Sequence, residues 1–219
     1  YVQDVVRVYN EFSYKEQLLS QSNLGNANAA FAHLDQLNDM MSVGGQSVMS
    51  SIELFYQAMN GIADSPSDLS LRSIALNQAE ILNGDFQSLN QNVEKMEKAV
   101  NGEIQEIAKT ITDISGQLAQ INEKILFGKD LTLNGQPNDL LDTRDRLINE
   151  LGEYTSVNTV TDPNGVMTVM IGQGSTLVAG ITPMSLTVTA GDPDPLKTEV
   201  QLAGPNSAIN LDGKSLGGA

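Results

Sequence analysis

The chain has 219 residues, with 27 acidic side chains against 12 basic ones and a formal net charge of −15. No Lys or Arg lies between Lys15 and Arg72, so the clustered cations that nucleic acid or an anionic membrane would need are missing, and neither is expected as a partner. Cysteine and Trp are absent and aromatics are 5% of residues, which excludes a disulfide framework and a thiolate metal site and leaves a core of Leu, Ile, Val, Met and Ala on helices.

The chain opens inside an amphipathic pattern (Val2, Val5, Val6, Tyr9, Phe12) and stops at Gly217, Gly218 and Ala219. This is the pattern expected of a piece of a longer protein. The start shows no leader segment, and no apolar run is long enough to span a bilayer. The first helix is predicted over about 2–41, with a break near Gly25. Its apolar side is Leu24, Ala27, Phe31, Leu34, Leu37 and Met41, and Gly44–Gly45 is the expected stop. The second is predicted over 46–63, on Val48, Ile52, Phe55, Met59 and Ile62. Asp64, Ser65, Pro66, Ser67 and Asp68 read as a stop and restart, with acids placed where a helix N-terminus favours them.

The third helix, predicted over 68–126, carries the strongest signal in the chain. Apolar residues recur at Phe86, Leu89, Val93, Met96, Val100, Ile104, Ile107, Ile111, Ile114, Leu118, Ile121 and Ile125, always three or four apart. That is one narrow stripe of a long helix, and forty such residues extend roughly 60 Å. The double step of four from Met96 to Ile104 resembles a stutter, which predicts a nearly straight helix. Gly84, Gly102 and Gly116 interrupt good helix formers and are expected to mark close helix contacts or bends.

A connector rich in Gly, Asn and Asp follows, and Asn138 is the expected cap of a fourth helix over 138–153. Its buried face is Leu140, Leu141, Leu147, Ile148 and Leu151, joined by the stem of Arg144. Beyond Glu153 the apolar period falls to two. Strands are predicted at 157–161, 166–171, 175–179, 181–189 and 198–202, with turns at Asp162-Pro163-Asn164-Gly165 and Gly172-Gln173-Gly174. The expected fold class is therefore α+β: a long antiparallel α-helical rod (1–153) followed by a small antiparallel β domain (154–219) that is incomplete at its C-terminus.

No catalytic, cofactor-binding or metal-binding residue is assigned, and the chain is not expected to be an enzyme. His33, the one histidine, lacks a second His or a Glu-x-x-His pair to share a metal. Asp192, Asp194 and Glu199 have prolines at 193 and 195 where a calcium loop needs other residues. Gly172-x-Gly174 has no helix start behind it and is a hairpin turn rather than a phosphate cradle. Asp139, Asp142, Asp145 and Glu150 are accompanied by Arg144 and Arg146, as on a solvated charged face.

Residues 138–151, reading N-D-L-L-D-T-R-D-R-L-I-N-E-L, resemble a helix of the flagellar hook-associated protein 1 family, the hook–filament junction proteins. The resemblance continues through 162–169, 171–174 and 177–180, then at 211–218, and in order and length through the upstream helices. It implies a structural subunit without cofactors, exported by the flagellar type III apparatus to the cell exterior. Implied partners are like subunits in one tier, the hook protein, the adjacent hook-associated protein and an export chaperone for the full-length chain. Terminal helices outside this segment would cover part of the long stripe, and the segment alone is expected to be monomeric. From helix pattern alone, a helical sensor of a bacterial extracytoplasmic receptor is the competing expectation, but neither an anion pocket nor a membrane helix is legible.

Overall fold

In a computed structural model, residues 11–128, 138–192, 198–203 and 208–211 are described. Four helices precede seven short strands: α1 (Glu11–Met40), α2 (Gln46–Asp64), α3 (Leu69–Gly128), α4 (Asn138–Tyr154), β1 (Val157–Thr161), β2 (Met167–Ile171), β3 (Ser175–Ala179), β4 (Thr182–Pro183), β5 (Ser185–Ala190), β6 (Thr198–Ala203) and β7 (Ala208–Leu211). The α+β class is as the periodicities predict. The residues divide into two compact units, one of Tyr1–Ala30 with Gly102–Ala219 and one of Phe31–Asn101. The strands thus share a unit with the second half of α3 and with α4.

Two expected helix breaks are absent. Gly25 lies inside α1, and Gly44–Gly45 do not end the first helix. Instead Met41–Gly45 forms a π-helical segment that passes directly into α2. The reason is that neither glycine takes a left-handed conformation; Gly45 sits at φ −68°, ψ −37°. Gly44 serves proximity instead: a Cβ there would lie 3.1 Å from Leu89 Cδ1 on α3. In the same unit the Ser51 hydroxyl bonds the Asp85 carboxylate.

The restart before α3 follows its sequence cues. Ser65 N–H closes on Gly61 O, Asp68 Oδ1 caps Ser70 N–H at 2.8 Å, and Arg72 reaches back to Pro66 O at 2.7 Å. Asn138 does not cap α4. The helix includes it, and its buried Oδ1 finds no partner among the described residues. Gly84, Gly102 and Gly116 mark no close contact, since a Cβ at any of them would meet nothing within 4 Å.

The strands form two antiparallel sheets, ordered β1-β2-β3-β4 and β5-β6-β7. The predicted strand over 181–189 is split between them at Met184, whose N–H turns back to Leu177 O at 2.8 Å. Proline at 183 cannot donate to a ladder, which favours the break. Strand β7 lies where no strand was expected, paired with β6 through Val200–Leu211 to Ala203–Ala208. Both turns form as predicted in residue type: Gly165 (φ 82°), Gly172 (φ 59°) and Gly174 (φ 111°) supply the left-handed positions. The tip of the 190–198 loop, including Asp194, and the connector 129–137 lie outside the described residues.

One apolar cluster joins Leu18 of α1, Ile111, Ile114, Leu118, Ile121 and Ile125 of α3, Leu147, Ile148 and Leu151 of α4, and Val169, Ile171, Leu177 and Val178 of the first sheet. Leu186, Leu202 and Leu211 bring in the second sheet. Gly152 admits α1 here, because Leu18 Cδ2 lies 3.4 Å from where a Cβ would be.

Candidate functional site

The twelve-residue stripe of α3 is not used uniformly. From Ile111 onward it is buried, with Ile114 at 2% and Leu118 at 1% exposure. Its first half is mixed: Phe86 is 50% and Val93 46% exposed, while Leu89, Met96, Val100, Ile104 and Ile107 are half-buried. The α1 stripe is open, through Leu24, Phe31, Leu34, Leu37 and Met41. The α2 stripe is mostly covered, with Val48 buried, Ile52, Phe55 and Ile62 half-buried and Met59 exposed, while Met49, Leu54 and Tyr56 are exposed beside it. On α1 a regular apolar face stands in solvent, which is what an assembly surface looks like in an isolated chain. The sequence shows these stripes but not which part of each finds a partner within the chain.

Beside the buried half of the stripe runs a second row that sequence reading passed over: Thr112, Ser115, Ala119 and Asn122. Ser115, Ala119 and Asn122 are buried and Thr112 half-buried. Asn122 Nδ2 donates to Met167 O at 2.7 Å and Gly180 O at 2.6 Å. Its Oδ1 accepts Met167 N–H at 3.1 Å, so the side-chain amide pairs with both polar groups of one backbone residue. The Ser115 hydroxyl lies 2.8 Å from Met184 O and 3.1 Å from Leu177 O. Thr112 Oγ1 donates to Ala108 O at 2.8 Å and accepts Leu186 N–H at 2.9 Å. Every partner across the junction is backbone, on β2 (Met167), β3 (Leu177) or β5 (Leu186), or in the links between strands at Gly180 and Met184. The available signal was the spacing of three, four and three, parallel to the apolar stripe.

A second anchor comes from α4. Arg144 Nη1 donates to Gly165 O at 3.0 Å, tying the first hairpin turn to the helix. Within that turn Asp162 Oδ1 accepts Val166 N–H at 2.8 Å. Arg144 is buried, as its place on the apolar face predicts, and Asp145 lies 3.9 Å from its Nε.

The residues weighed for chemistry are scattered. His33 is half-buried on α1 and Asp35 exposed; Asp192 is exposed and Glu199 lies on β6. Asp139 and Asp142 are exposed, and Glu150 pairs with Arg146 at 3.3 Å on the surface of α4. Among the described residues no three His, Cys, Asp or Glu are grouped to hold a metal. No helix among them is long and apolar enough to cross a membrane.

The family model described as flagellar hook-associated protein FlgK helical domain matches residues 34–219. Flagellar hook-associated protein 1 of Salmonella typhimurium is 25% identical over 200 residues, which is 91% of this chain and 36% of that protein. The protein of that name from Escherichia coli K12 is 24% identical over 200 residues, covering 91% of this chain and 37% of its own length. The chain therefore spans a little over a third of these relatives. The solved structure of the flagellar hook junction protein FlgK from Burkholderia pseudomallei superposes with a TM-score of 0.85 at 22% identity, over 94% of this chain and 37% of that one. The chain belongs to the flagellar hook-associated protein FlgK family, and most of it corresponds to that family's helical domain.

Proposed function

We propose that this chain is part of a structural, non-catalytic subunit of the bacterial flagellum that joins hook to filament. The observation that carries the reading is the family match over residues 34–219. The helical part, 1–153, acts as an axial rod and the β-rich part, 154–219, as an outward domain. Lateral contacts fall on the open apolar face of α1, where Phe31 and Leu34 are exposed, and on the exposed apolar residues of α2 and early α3 such as Met49 and Phe86. Like subunits close into one tier through such faces, each using the same surfaces. The hook protein lies on one side of the tier and the adjacent hook-associated protein on the other. The full-length subunit travels through the flagellar type III apparatus with an export chaperone and works outside the cell. Deleting the parent gene tests the proposal: cells should keep their hooks and shed filaments into the medium. Filaments that remain attached to hooks would overturn it.

A further inference from the structure

We infer that Thr112, Ser115 and Asn122 are positioning residues that set the axial register of the β-rich segment on α3. The apolar stripe cannot do this alone, because it repeats. Sliding the sheets one heptad toward the start of α3 would replace Ile111, Ile114, Leu118, Ile121 and Ile125 by Ile104, Ile107, Ile111, Ile114 and Leu118, all Ile or Leu again. The displacement is about 10 Å at 1.5 Å per residue.

The polar row is not repeated. In the slipped register Thr112, Ser115 and Asn122 would give way to Gln105, Ala108 and Ser115. A lone serine hydroxyl cannot make the three bonds that Asn122 makes to Met167 and Gly180. Alanine in place of Ser115 leaves Met184 O without the hydroxyl that now bonds it. Buried backbone groups left unpaired penalise the slipped state and not the native one. A few buried polar side chains thus select one register from an apolar surface that fits several, as polar core positions do in coiled coils.

The absence of cysteine permits the test, because two introduced thiols are the only ones present. Spin labels at Gln117→Cys on α3 and Asn158→Cys on β1, both exposed, should give one narrow distance distribution in the unaltered background. The triple variant Thr112→Val, Ser115→Ala, Asn122→Leu keeps the apolar surface and removes the selection. It should gain a second population, or a distribution broadened toward the one-heptad displacement. A triple variant that stays folded with the narrow distribution unchanged overturns the inference. If the triple variant does not fold, Asn122→Ala with the same labels decides. Broadening supports register selection; a lower melting temperature with an unchanged narrow distribution shows that Asn122 only stabilises, and overturns it.

Discussion

Ile114 and Val93 belong to one stripe, yet 2% of the first and 46% of the second is exposed. Ile114→Asp would bury a charge without a partner and is expected to remove about 4 kcal/mol or more, enough to lose cooperative thermal unfolding by circular dichroism. Ile111→Asp should behave alike, since Ile111 is 3% exposed. Val93→Asp places its charge in solvent and should shift stability by no more than about 0.5 kcal/mol in the same measurement. Equal effects at the two positions would mean that the stripe is buried along its whole length. Arg144→Ala should cost about 2 kcal/mol in urea unfolding, because it removes both the bond to Gly165 O and a buried stem. The sequence displayed the apolar residues of this core and even the burial of Arg144. It did not display Ser115 or Asn122, because a polar residue beside an apolar stripe has the same pattern whether it meets water or a sheet edge. Only the backbone it faces distinguishes the two, and that backbone lies more than forty residues away along the chain.

At the scale of elements, α3, the hairpin β1–β2 and the turn into β3 were legible because their signals are local: a sustained 3.6 period, then a period of two punctuated by Asp-Pro-Asn-Gly and Gly-Gln-Gly. The π-helical join was not. Adjacent glycines are the ordinary stop signal of a helix, and here they serve close packing against Leu89 instead. The division of 181–189 between two sheets was hidden for a related reason: it depends on Met184 meeting Leu177 and Ser115. Glycines in α3 and at the join therefore predict opposite responses. Gly102→Ala has open space for its methyl and should stabilise by about 1 kcal/mol through helix propensity. Gly44→Ala meets Leu89 Cδ1 at 3.1 Å, so the same propensity gain is offset there and the net change should stay near zero. A gain at Gly44 equal to that at Gly102 in thermal melts would show that Leu89 yields freely. A π segment also accommodates one extra residue in the helical ladder. It therefore turns the α2 face relative to the α1 face by about 100° from the position an unbroken α-helix would give.

For the molecule as a whole, the open helix faces and the net charge of −15 act in opposition. At neutral pH and moderate salt, light scattering should report a monomer at low concentration; a stable, concentration-independent oligomer would contradict this. The same opposition makes the protein a charge-stabilised colloid. Its second virial coefficient should be positive at pH 7 in dilute buffer and turn negative as the pH approaches the sequence isoelectric point of about 4.2, where mutual repulsion vanishes. Concentrated salt, which shortens the screening length to about 3 Å at 1 M, should move it the same way at constant pH. The exposed faces of α1, α2 and early α3 would then make ionic conditions, rather than unfolding, the first thing to limit how concentrated this protein can be.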